Sequence, residues 1–196
     1  IVYRGTLHAN SKRQKTSNFG SNYDMKNLFL GIRQYDCDAD WDKLIHIANN
    51  SCPDSNYAGF QTKFFNHPAL NSIKDSFISC CRDYYKINEP EKVRLWYYHD
   101  WKDNPNKDGH FWHDHYNYYG LSGILYLTLP EESTTTGFSI SADSGILGKE
   151  KLFDDMMYLP SIIHKWFIFP ANLPHIPGTC NSDQKRIVIS GDYWYK

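Results

Sequence analysis

Long apolar runs are missing from this chain. None of its stretches approaches the roughly 18 residues that a membrane-crossing helix needs, and no membrane partner is expected. Charge of one sign is missing too. The formal net charge is -1, and acidic and basic residues are mixed along the chain, so bulk attraction to nucleic acid is not expected. The short cluster Lys12-Arg13-Gln14-Lys15 reads as a solvated loop. Cysteine is sparse: five residues, at 37, 52, 80, 81 and 180, form an odd set without CxxC spacing. That set reads as free thiols in a reducing, cytoplasmic setting rather than as a disulfide framework. Ile1 opens a polar segment, and no signal peptide is expected. Internal repeats, low-complexity tracts and a linker are also absent, which points to a single domain over 1–196.

Aromatic residues are abundant, with 15 Tyr, 11 Phe and 6 Trp, and these favour strands and an aromatic-lined pocket. Helical periodicity is confined to the first half. Trp41, Leu44, Ile45 and Ala48 follow the i, i+3, i+4, i+7 pattern, which predicts a helix over 40–50 capped by Asp38 or Asp40. The run Asp36-Cys37-Asp38-Ala39-Asp40 is not a calcium loop, because Trp41 and Ile47 stand where that motif needs Gly and Glu. Pro68 opens a second helix, over 68–86, with Leu70, Ile73, Phe77, Cys81 and Tyr84 as its buried stripe. An edge strand within 1–27 and a short strand over 28–32 are expected ahead of both. His46 and His67 read as surface and loop residues.

Near Glu91 the period changes from 3.6 to 2. Strands are predicted over 93–99, 110–116, 121–129, 138–141, 161–169 and 186–194, with a turn-rich loop over 100–109 as a candidate lid. Two helices followed by many short strands give an α+β jelly roll. Residues 1–92 then form a strand and helical support, and 93–196 the jelly-roll core.

The chemistry concentrates around Phe111-Trp112-His113-Asp114-His115-Tyr116. On a strand, residues i and i+2 share a face, so His113 and His115 can reach one metal ion while Asp114 points away. His175 follows about sixty residues later, after Lys165-Trp166-Phe167-Ile168-Phe169-Pro170, and Arg186 comes eleven residues after that. Neutral imidazoles bind several metals, and a guanidinium grips a carboxylate through a bidentate fork. Ser122 and Tyr126 share one face of the strand 121–129 and can add hydrogen bonds to a bound acid. Trp96, Tyr97, Tyr98, Trp101, Trp112, Tyr116, Tyr118 and Tyr119 crowd the expected entrance.

In this order, His113-Asp114-His115, then Leu121-Ser122-Gly123-Ile124-Leu125-Tyr126-Leu127, then Phe169-Pro170 through His175 to Arg186, the second half resembles the Fe(II)/2-oxoglutarate-dependent oxygenases, relatives of the prolyl hydroxylases. Gly59-Phe60-Gln61-Thr62 also resembles a stretch upstream of that core. The resemblance implies a cupin-like double-stranded β-helix with Fe(II) held by His113, His115 and His175. It further implies 2-oxoglutarate held by Arg186 with Tyr126 and Ser122, and dioxygen-dependent hydroxylation of a small molecule or a peptide side chain. Most of that superfamily has an acid where this chain has His115, so the ion carries one more unit of positive charge; Asp114 is the reserve carboxylate. Two other readings stay open: a three-His iron dioxygenase that uses no 2-oxo acid, and a non-catalytic metal-binding jelly-roll module. Oligomeric state is not legible.

Overall fold

The computed structural model describes residues 31–51, 60–61, 68–86, 90, 92–104, 112–115, 120–139 and 156–195. Within them two helices and nine strands run in the order β1 (Arg33–Asp36), α1 (Trp41–Asn49), β2 (Phe60–Gln61), a single 3-10 turn (Pro68–Leu70), α2 (Asn71–Tyr85), β3 (Lys92–Asp100), β4 (Gly120–Thr128), β5 (Gly137–Ser139), β6 (Met156–Tyr158), β7 (Lys165–Pro170), β8 (His175–Ile176) and β9 (Arg186–Trp194). The strands form a six-stranded sheet in the order β1-β7-β4-β9-β3-β2 and a three-stranded sheet in the order β6-β5-β8. This is the α+β jelly roll expected from the pattern.

Each sheet face has its own apolar layer. On the outer face of the large sheet, Leu44 and Ala48 of α1 and Ile73, Phe77 and Cys81 of α2 pack on Leu95, Leu121, Leu125, Trp166, Ile168 and Ile189. Between the sheets, Ile124, Tyr126, Phe167, Phe169 and Val188 meet Phe138, Met157 and Leu159. Strand β4 is buried along eight of its nine residues because it is covered on both faces, so its alternation is hidden in a near-continuous apolar run.

Both helices form where the periodicity places them. Asp40 caps α1, its carboxylate accepting from the Lys43 amide at 3.1 Å, and His46 is exposed. The whole predicted stripe of the second helix is buried. Its contact with the sheet rests on a cross-strand pair of glycines: Gly123 lies opposite Gly191. A Cβ on Gly123 would come within 2.5 Å of the Phe77 ring, and one on Gly191 within 2.9 Å. The bare backbone lets Phe77 seat on the sheet. Cys80 and Cys81 are core thiols as expected, and burial pushes Cys80 up to about 12. Cys37, Cys80, Cys81 and Cys180 are free; Cys52 lies outside the described residues. Among the described residues no helix is long and apolar enough to cross a membrane.

The strand boundaries differ from expectation in places. The first described strand is Arg33–Asp36, which was not expected. It is a mostly exposed edge held to β7 by main-chain pairing and a 2.6 Å Lys165–Asp36 ion pair, so it lacks an apolar signature. Strand β7 starts at Lys165 rather than 161, because His164 takes a left-handed φ of 64° that an extended chain cannot contain. Strands β6 and β8 have three and two residues, too few for a period. The segments 1–30, 62–67 and 105–110 lie outside the described residues. With them go the expected edge strand within 1–27, residues 28–30 of the strand expected over 28–32, the basic cluster at 12–15, His67 and half of the candidate lid, 105–109.

Two outcomes follow. Gly123→Ala should lower the unfolding free energy by about 1–3 kcal/mol through overpacking, and Phe77→Leu in the same chain should recover part of it. Additive losses in denaturant melts would contradict the shared seat. Separately, burial, with Lys185 adding, holds fully buried His99 down to about 4, below the ordinary histidine value of about 6.5. The unfolded chain then takes up this proton first, so stability is retained above about 6.5 and lost as pH falls towards about 4. His99→Asn should flatten that arm of a stability–pH curve; an unchanged slope would contradict it.

Candidate metal and co-substrate site

The site lies on the inner face of the large sheet. Strand β9 is its spine. By alternation Arg186, Val188, Ser190 and Asp192 face the inter-sheet space, while Ile187, Ile189 and Tyr193 join the layer under the helices. The antiparallel register sets Asp192 opposite Arg94 of β3 and Ser122 of β4. Trp96, Tyr98, Ile124 and Phe169 line the same pocket as His113, His115, His175, Ser122, Thr136 and Arg186.

The three expected histidines converge. His113, His115 and His175 offer ligand atoms that all lie within 4.8 Å of one another. Within the described residues 112–115 they do so through a single bridge rather than the regular strand predicted over 110–116. His113 and His175 form one antiparallel bridge, with paired amide–carbonyl bonds of 3.0 and 2.9 Å. The ladder stops there because the facing chain turns: the Leu173 amide, the next donor in line, donates back to the Pro170 carbonyl. The His115 amide instead donates to Ala171 at 2.8 Å. Asp114 is exposed and stands outside the histidine cluster.

Hydrogen bonds behind two of the rings fix their orientation. His175 Nδ1 lies 2.8 Å from the Leu173 carbonyl, which only accepts, so Nδ1 carries the proton and Nε2 keeps its lone pair. Burial, then the neighbouring His113 and His115, holds His175 well below the ordinary histidine range, which favours the neutral, metal-binding form. His115 Nδ1 lies 2.6 Å from Asp192 Oδ1 and 2.9 Å from Ser122 Oγ, and Ser122 donates to the same Asp192 oxygen at 2.9 Å. In the neutral ring this again leaves Nε2 for a metal. Three imidazoles presented this way fit a divalent transition-metal ion.

At the other end of β9 stands Arg186, 1% exposed. A bulge in the β4–β9 pairing falls between Tyr126 and Thr128. There the Thr128 hydroxyl accepts from the Ile187 amide at 3.0 Å and donates to the Lys185 carbonyl at 2.7 Å, gripping both peptides beside Arg186. Nη1 of Arg186 donates to the Thr134 carbonyl at 3.0 Å, and the guanidinium lies 5.5 Å from the Tyr98 ring centre. Among the described residues Nε has no partner and no carboxylate pairs with this cation. A buried cation left so is costly without an anion.

Ser122 and Tyr126 point into the same inter-sheet space but spend their hydroxyls on protein groups. Tyr126 donates to Thr136 Oγ1 at 2.9 Å and accepts from the Thr136 amide at 2.8 Å, so Thr136 is the hydroxyl that faces the pocket. Of the aromatic residues expected at the entrance, Trp96 and Tyr98 line the pocket, whereas Tyr97 turns to the helices and donates to the Leu44 carbonyl at 3.1 Å. Tyr116, Tyr118 and Tyr119 lie outside the described residues. Thr136 and Asp192 were missed from the sequence. For Asp192 a signal existed: it is an acid in a strand, six residues from Arg186 and so on the same face, where aspartate is depleted.

No family model and no curated protein sequence matches the chain. Solved structures do. A prolyl-4-hydroxylase from Pseudomonas putida superposes with a TM-score of 0.60 at 10% identity, over 87% of this chain and 96% of its own. HygX from Streptomyces hygroscopicus, with nickel, 2-oxoglutarate and hygromycin B bound, gives 0.62 at 10% identity, over 89% and 86%. An oxidoreductase of the 2OG-Fe(II) oxygenase family from Burkholderia pseudomallei gives 0.59 at 10% identity, over 88% of each chain. At such identities the likeness is one of fold: the chain has the jelly-roll fold of the 2-oxoglutarate/Fe(II) oxygenases.

Proposed function

We propose that this protein is an Fe(II)/2-oxoglutarate-dependent dioxygenase that hydroxylates a small molecule or a peptide side chain. One observation carries the reading: a convergent three-histidine cluster and a buried arginine without a carboxylate partner open into the same pocket. His113, His115 and His175 would hold the metal. When bound, Fe(II) supplies the redox chemistry that couples decarboxylation of 2-oxoglutarate to dioxygen-dependent hydroxylation. The chain's own residues do the rest. Arg186 receives the far carboxylate of the co-substrate, and its free Nε direction provides the second bond of a fork. Thr136, its oxygen already accepting from Tyr126, keeps its proton for the same carboxylate. Ser122 and Tyr126 act behind these groups, on His115 and Thr136 respectively.

Arg186 and the three histidines line the same pocket, so an acid with a carboxylate at each end can meet both. Aromatic walls from Trp96 and Tyr98 exclude water, which strengthens the charge pairing. The neighbours bracket the second substrate: one is a prolyl-4-hydroxylase and another holds hygromycin B. Residues 93–196 form the catalytic core in this reading, and 1–92 support it.

Replacing His113, His115 or His175 by Ala should abolish stoichiometric Fe(II) binding, read by elemental analysis of untagged protein, with little loss of thermal stability. Full iron in His115→Ala, together with loss in Asp114→Ala, would move the ligand to the acid. Removing one partner of a desolvated charge pair costs about 2–5 kcal/mol, so Arg186→Ala should weaken 2-oxoglutarate binding roughly thirtyfold or more in calorimetry of the metal-loaded protein. Arg186→Lys keeps the charge but loses the fork, so its loss should be smaller. Unchanged 2-oxoglutarate affinity in Arg186→Ala would favour an oxygenase that uses no 2-oxo acid.

A further inference from the structure

We propose that Asp192 is a positioning residue that supplies the metal centre with its negative charge through His115, in place of a carboxylate ligand. The inference rests on the metal site proposed above, but not on 2-oxoglutarate as co-substrate.

Three neutral imidazoles bring no charge to a divalent ion, whereas a facial site of two histidines and a carboxylate brings one. A buried carboxylate stands behind the ring of His115. Asp192 is 4% exposed, lies outside the cluster of ligand atoms, and has Oδ1 2.6 Å from His115 Nδ1. Accepting the Nδ1 proton fixes the tautomer and makes the opposite nitrogen a more basic, more anion-like donor. Sequence register builds this contact. Arg94, Asp192 and Ser122 sit side by side across β3, β9 and β4. Ser122 donates to Oδ1 at 2.9 Å, and Arg94 lies 3.5 Å from Oδ2. Arg94 is itself stacked 4.2 Å from the Trp194 ring centre. The two carboxylate oxygens therefore face opposite demands: one serves the metal ligand, the other a cation that draws charge away from it.

That opposition gives a test with two signs. Asp192→Asn keeps an oxygen that can accept from His115 but removes the charge. It should weaken Co(II) and Fe(II) affinity by about 10- to 100-fold and raise the Fe(III)/Fe(II) midpoint potential. Arg94→Leu releases the carboxylate to His115 and should lower that potential. A merely structural role for the row would loosen the centre in both variants and move both potentials in the same direction. The readouts are metal titration and protein-film voltammetry of protein without 2-oxoglutarate, with thermal unfolding to establish that each variant is folded. Opposite shifts support the proposal. Unchanged affinity and potential in folded Asp192→Asn, or shifts of the same sign in the two variants, overturn it. A wild-type protein that binds metal but not 2-oxoglutarate overturns the co-substrate reading alone, because the comparison of potentials needs only the metal.

Discussion

The register of β9 is the constraint on which the rest of the molecule depends. Its odd-numbered residues Ile187, Ile189 and Tyr193 are buried under the helices, and its even-numbered residues Arg186, Val188, Ser190 and Asp192 face the space between the sheets. A slip of one residue against β3 or β4 would exchange the two sets. It would place a guanidinium and a carboxylate in an apolar layer and leave the pocket without either charge. The same register sets Gly191 opposite Gly123, so the seat for Phe77 and the functional row form or fail together. Packing of α2 thus holds the site in place without touching it.

The two ends of that strand carry opposite charges with different partners. At Asp192 the carboxylate is satisfied within the protein by His115, Ser122 and Arg94. At Arg186 the cation has a carbonyl and an aromatic face but no described carboxylate. The histidine cluster and Arg186 line one pocket, which is the arrangement that the proposed binding of a dicarboxylate needs.

Much of this was legible in the sequence, for physical reasons that also explain the gaps. The helix stripes showed because each has a buried face long enough to establish a period, and the nine-residue strands β3, β4 and β9 because each is a long run rich in apolar and aromatic residues. His113, His115, His175 and Arg186 showed because their order along the chain is unusual. What stayed hidden depends on cross-strand geometry or brevity. No local pattern says that Asp192 stands behind His115, seventy-seven residues away. Thr136 is in a loop, and Tyr126 looked like a pocket residue because period two gives the face but not the hydrogen-bond partner. The single bridge at His113 was read as a strand because the turn that ends the ladder, Leu173 back to Pro170, is on the facing chain, out of reach of any local window.

The central claim is that one pocket binds a metal at the histidines and a dicarboxylate between that metal and Arg186. Anaerobic titration of the Fe(II)-loaded protein with 2-oxoglutarate tests it most directly. The account predicts a metal-to-ligand charge-transfer band that grows with added 2-oxoglutarate and saturates at one equivalent per chain. Stoichiometric Fe(II) with no such band, and no 2-oxoglutarate binding by calorimetry, would contradict it.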